Sequence, residues 1–183
     1  MILPIVLFGD PVLRAVGGRV DKITDKVKQF AADMLETMRE ADGVGLAAQQ
    51  VAIPLQIAVI DVREVEERPS KMWIEGQEVD PSAYMPMVIL NPELTFGKEK
   101  VVGVEGCLSF PKMNADIVRF ARVRCQATTL EGGKWDFEAE GLLARALQHE
   151  VDHLNGVLFI DRMNSAAKAS LAGKLKRLMR ASK

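Results

Sequence analysis

The stretch 141–156 reads GLLARALQHEVDHLNG. Its apolar residues recur at helical spacing from Gly141 to Leu154, and Asn155-Gly156 is a helix stop. The chain has two histidines, His149 and His153, and they lie four apart inside this helix. Positions i and i+4 of a helix face the same way, about 5–6 Å apart, so both imidazoles reach one metal ion. Glu150 points to the side, where it reaches a water on that ion but is badly placed to be a ligand. The pattern is H-E-x-x-H, whose division of labour suits metal-assisted hydrolysis.

A catalytic centre of this kind needs three protein ligands and an open position. No downstream residue fits the third place. Phe159 stands where one metalloprotease plan has a third histidine, and no Glu follows Glu150. Asp161 lies behind the apolar run VLFI, which reads as a strand leading away. Upstream, a short strand over 100–104 leads into Glu105-Gly106-Cys107-Leu108-Ser109. Cys107 follows a glycine, where backbone comes close to a ligand, and a thiolate is a strong soft ligand for Zn²⁺ or Fe²⁺. Cys107 is therefore the candidate third ligand, against the plainer reading of a small buried apolar side chain. That plainer reading suits Cys125, which sits within an alternating strand. A third segment, Gly43-Val44-Gly45-Leu46-Ala47-Ala48-Gln49-Gln50, has two glycines that let backbone lie against something. It lacks the Lys-Ser/Thr ending of a phosphate loop, and the dinucleotide spacing fails at Ala48.

The chain has 183 residues, 48% hydrophobic and 27% charged, which describes one ordinary domain with a real core. No apolar run approaches the ~20 residues that cross a bilayer. The opening MILPIVLFGDPVLR has no preceding basic region and no cleavage site, so it reads as mature protein. Two cysteines exclude a disulfide framework, and a soluble, cytoplasmic protein is expected. The net charge of −1 excludes a general polyanion binder, yet the charge is uneven. No acidic residue follows Asp161, whereas Arg162, Lys168, Lys174, Lys176, Arg177, Arg180 and Lys183 are basic. With Ala167, Leu171, Leu175 and Leu178 at helical spacing, residues 165–183 read as a basic amphipathic C-terminal helix. It is either an ordinary docked helix or a surface for RNA or another acidic partner. It has no aromatic residue to stack on bases, which argues against sequence-specific nucleic-acid binding.

Elsewhere, residues 25–41 form an amphipathic helix through Val27, Phe30, Met34, Leu35 and Met38, capped by Thr24 or Asp25. Residues 56–62 read as a strand, and 87–90 as another that breaks at Asn91-Pro92. Residues 122–130 and 134–140 alternate around EGGK as a hairpin. Residues 63–86, polar and carrying Pro69, Pro81 and Pro86, read as a long surface loop and an insertion. The whole is an α+β arrangement in a single domain over residues 1–183.

The segments GVGLAAQQ, EGCLS and HEVDH, in that order, resemble peptide deformylase. That family carries G-x-G-x-A-A-x-Q, E-G-C-x-S and H-E-x-x-H with Asp just before the second His, here Asp152. DPVLR, VILNPEL and GLLARALQHEVDHLNGVLFID also fit, so the resemblance covers nearly the whole chain, with 63–86 longer than in most members. The resemblance implies removal of the formyl group from the initiator methionine of nascent polypeptides, releasing formate. It implies antiparallel sheets packed around a central helix that carries H-E-x-x-H. It implies one divalent metal, usually Fe²⁺, held by Cys107, His149 and His153; Zn²⁺, Ni²⁺ and Co²⁺ also suit these donors. Glu150 is then the proton carrier, and the Gln50 amide and the Leu108 backbone N–H are the oxyanion donors. The substrate lies extended against Val44, Gly45 and Gly106 as an added strand. Its methionine enters a pocket of Val44, Leu142 and Ala146, with a half-exposed Arg145 at the mouth. The partner implied is the N-formyl-Met nascent peptide. The basic C-terminal helix is itself read as a ribosome-docking surface, and no membrane contact is expected. The rival reading is an H-E-x-x-H metallopeptidase acting on unformylated peptides, disfavoured because no protease third-ligand pattern is present. A non-catalytic relative is disfavoured because neither a ligand nor Glu150 is lost.

Overall fold

Alternating apolar residues and turn residues organise most of this chain into paired strands, and the three amphipathic stretches become helices. The computed structural model describes residues 1–182; Lys183, the last residue of the expected basic helix, lies outside the described residues. The first helix, α1 (Asp25–Glu40), starts where the Thr24 side chain accepts from the Val27 N–H. The strands follow as β1 (Gly45–Ala47), β2 (Ile57–Ile60), β3 (Ser70–Ile74), β4 (Gln77–Val79), β5 (Met87–Phe96), β6 (Lys100–Cys107), β7 (Phe110–Phe120), β8 (Arg122–Thr128) and β9 (Lys134–Gly141). Then come α2 (Leu142–Leu154) and α3 (Ser165–Ala181). One sheet has the order β1-β2-β5-β8-β9-β3-β4, and β6 and β7 form a second. All these pairs are antiparallel.

Of the residues of α2, all but Asp152 are buried. A helix apolar or satisfied on every side must be enclosed, and α2 contacts strands of both sheets. One core cluster joins Leu142, Leu143, Ala146 and Leu147 of α2 to the large sheet. Another joins Met34 and Met38 of α1 to β1 and β2. A third seats Leu171, Leu175 and Leu178 of α3 against β7, so the apolar stripe of the C-terminal helix docks on the body.

Three sequence expectations are corrected, and one strand is added. Residues 63–86 are not a loop throughout: they contain β3, β4 and a short turn of 3-10 helix at Pro81–Tyr84. β3 pairs with β9, which compensates the low apolar content that suggested a loop. The strand at 87–90 does not end at Asn91-Pro92 but runs on to Phe96 through a bulge. Asn91 takes φ 51° there, and its amide pairs with both the N–H and the C=O of Val20 at 2.8 Å. The run VLFI does not leave as a strand. It closes into a 3-10 turn (Phe159–Arg162), and Asp161 holds the Leu158 N–H and a bidentate Arg14. Residues 110–120, for which no strand is evident in the sequence, form the long β7.

Candidate metal centre

Two elements bring the donor atoms together, and a third places an amide beside them. α2 supplies His149 and His153, whose ring centroids stand 5.0 Å apart. β6 ends at Cys107, whose Sγ lies 3.3 Å from His153 Nε2. One ligand atom from each of Cys107, His149 and His153 lies within 4.8 Å of the others. The glycine segment supplies Gln50, whose Nε2 lies 3.5 Å from Cys107 Sγ and donates to Ser109 Oγ at 3.2 Å. Its Oε1 accepts from the Ala47 N–H, which fixes the amide.

The donors fit a metal ion. His149 Nδ1 faces Glu105 at 2.8 Å, leaving Nε2 free to turn toward Cys107. A carboxylate behind a ligating imidazole is the usual support of such a site. One soft sulfur and two imidazole nitrogens suit Zn²⁺ or Fe²⁺. Glu150 is buried, and its Oε2 has no hydrogen-bond partner among the described residues. An orphaned carboxylate oxygen is costly unless something binds it. Burial, reinforced by the nearby Glu105 charge, pushes Glu150 up to about 7. Burial also pulls His153 well below its ordinary value, with the positive His149 and Arg119 adding to it. At His149 burial works in the same direction but is outweighed by its bonds to Cys107 and Glu105, which push it well above.

Glycine is required beside Glu150. A Cβ on Gly45 would lie 2.6 Å from Glu150 Oε1, so only a bare backbone leaves room for that carboxylate. A cleft of about 450 Å³ opens beside these groups. Val44, Gly45, Gly106, Leu108, Leu142 and Ala146 line it together with Gln50, Cys107, His149 and Glu150.

Arg145 is the misplaced expectation. It does not stand half-exposed at the pocket mouth but is buried behind the centre. Its guanidinium donates to Glu105 at 2.7 Å and to the carbonyls of Ile117 and Val101. Opposite it, Arg119 grips Glu105 with two bonds of 2.8 Å and Asp152 with one of 2.6 Å. Burial alone would raise Glu105, but Arg119 and His149 hold it well below the ordinary carboxylate range. Glu105 and Arg119 escaped the sequence reading. Glu105 lay in view inside EGCLS, and its inward direction followed only from the pairing of β6 with β7, Glu105 opposite Ala115.

The family model described as polypeptide deformylase matches residues 2–169. The chain belongs to the peptide deformylase family. A peptide deformylase of Methylacidiphilum infernorum is 43% identical over 180 residues, covering 98% of this chain and 94% of that one. One of Opitutus terrae is also 43% identical, over 97% of this chain and 93% of its own. The crystal structure of peptide deformylase from Thermus thermophilus superposes with a TM-score of 0.84 at 35% identity, covering both chains completely. Deformylation of nascent peptides is the known function of peptide deformylases, which are metalloenzymes, and this chain is such an enzyme. None of its helices is long and apolar enough to cross a membrane, among the described residues.

Proposed function

We propose that Cys107, His149 and His153 hold one divalent metal ion and that Glu150 moves the proton in hydrolysis of the formyl amide. The observation that carries this is the convergence of one sulfur and two imidazoles beside an unpartnered buried carboxylate. When bound, the metal supplies an acidified water, its pKa lowered from about 15.7 toward ~7. Fe²⁺ is our reading of its identity, and Zn²⁺, Ni²⁺ and Co²⁺ suit the same donors. Glu150 takes a proton from the attacking water and delivers it to the leaving amine. The Gln50 amide, held by Ala47 and placed beside Cys107, donates to the developing oxyanion with the Leu108 N–H. Losing one such donor costs about 10²–10³ in rate.

The substrate backbone runs along Val44, Gly45 and Gly106, and its methionine side chain enters between Val44, Leu142 and Ala146. α2 is the helix around which both sheets pack, and residues 63–86 are an insertion in a single catalytic domain. The enzyme works in the cytoplasm. The basic face of α3 docks on the ribosome, leaving its apolar stripe on the body.

Metal analysis of two cysteine variants tests the ligand set. Cys107→Ser is expected to lose most of its metal and its formate release from formyl-Met peptides. Cys125 is buried within β8, where burial pushes its thiol up to about 12, and Cys125→Ser is expected to keep both. Loss of metal from the Cys125 variant alone would overturn the assignment.

A further inference from the structure

The cleft lined by Cys107, His149 and Glu150 carries two cations on its lining, Arg68 and Lys112, and neither belongs to the catalytic chemistry. Most arginines of this fold grip a carboxylate, as Arg63, Arg122 and Arg124 do. Among the described residues, Arg68 and Lys112 have no carboxylate within ion-pair distance. Asp42 is the one exposed acid on the same lining; Glu105 and Glu150 lie buried within, and Glu105 is already held by Arg119 and Arg145. Two cations thus stand against one exposed acid on this lining.

Arg68 is also held in place. The two residues after it cap the helix that bears the histidines: Pro69 C=O accepts from the Leu142 N–H at 3.2 Å, and Ser70 Oγ accepts from the Leu143 N–H at 2.9 Å. Gly141 makes this possible, because a Cβ there would meet the Pro69 oxygen at 2.1 Å. The α2 N-terminus has no side-chain cap of its own, so the 63–86 segment supplies one and thereby fixes Arg68 at the cleft. Lys112 sits near the start of β7, where its register with β6 shifts, at φ 59°, a conformation costly for a residue with a Cβ.

We propose that Arg68, assisted by Lys112, is a specificity determinant that favours nascent chains with an acidic side chain just after the formyl-methionine. This rests on the deformylase reading of the site. A cleft of about 450 Å³ holds few residues, so the chain beyond formyl-methionine passes over its opening. A carboxylate there meets two unpaired cations, one of them half-buried and anchored; a lysine side chain meets repulsion.

The test compares formyl-Met peptides that differ only in Asp, Ala or Lys at the second and third positions. Wild-type kcat/KM is expected to favour Asp over Lys by about three- to tenfold, the size of one partly exposed charge-assisted contact. The ratio should shrink toward one in about 0.5 M salt, where charges are screened. Arg68→Glu should invert the ratio, Arg68→Lys should preserve most of it, and Lys112→Glu should reduce it. A merely structural role for Arg68 would lower both peptides equally and leave the ratio unchanged, which would overturn the proposal, as would a wild-type ratio of one. Failure to hydrolyse even the alanine peptide would instead refute the deformylase reading itself.

Discussion

Replacing Glu105 with Gln removes the one charge that holds the back of the centre together. Its two oxygens make four contacts: Arg119 Nη2 and His149 Nδ1 on one, Arg119 Nε and Arg145 Nη1 on the other, all between 2.7 and 2.8 Å. All four partners are nitrogens, and the arginine contacts present N–H donors, so the amide NH₂ of glutamine must face a donor whichever way it turns. At least one arginine loses its bond; Arg145 remains buried with its countercharge gone, and Arg119 is left with Asp152 alone. Removing one partner of a buried ion pair costs about 3–5 kcal/mol, and losing the support behind a ligating imidazole costs about 10–100-fold in metal affinity. Urea unfolding of the metal-free protein at pH 7 measures the first quantity, and chelator competition for Zn²⁺ measures the second. A loss of stability under about 0.5 kcal/mol, as expected of an indifferent surface change, with unaltered metal affinity, would refute the reasoning.

Gly45→Ala should retain metal but lose at least about 10²-fold in turnover, because its Cβ enters the space of the Glu150 carboxylate, the group proposed to move the proton; metal content and rate on one preparation check this. The Arg14–Asp161 pair gives an acid-dependent stability. Burial works against the Asp161 charge, but Arg14 and the Leu158 N–H outweigh it and lower its folded value. Its contribution is therefore complete above the unfolded value near ~3.9 and fades as pH falls through the lowered folded one. Asp161→Asn should cost about 0.5–1 kcal/mol at pH 7, a figure kept small by partial exposure, and the gap to wild type in urea midpoints should close toward about pH 2.

The parts of the molecule legible in the sequence were those set by local period and spacing. α1, α2 and α3 announced themselves through i, i+3, i+4 repeats, and β8–β9 through alternation around a glycine turn. The histidine pair was legible because helical spacing places side chains without reference to the rest of the fold. What stayed hidden depended on long-range pairing. Residues 70–79 have the composition of a loop and become strand because β9 offers an edge. Asn91-Pro92 looks like a strand end, yet the strand continues past a bulge that two bonds between the Asn91 amide and Val20 hold in place. Arg145 looked exposed because arginines usually are; the charge of Glu105, forty residues upstream, is what draws it inside.

The central claim is that Glu150 carries the proton while Cys107, His149 and His153 carry the metal. It is tested most directly by measuring metal content and formate release together for wild type and Glu150→Ala, prepared without oxygen, with a formyl-Met peptide and its unformylated control. The account predicts equal metal in both proteins, formate from the wild type only, no cleavage of the control, and a rate lower by about 10²–10⁴ or more in the variant. Undiminished formate release by Glu150→Ala, or release that falls only in proportion to lost metal, would contradict it.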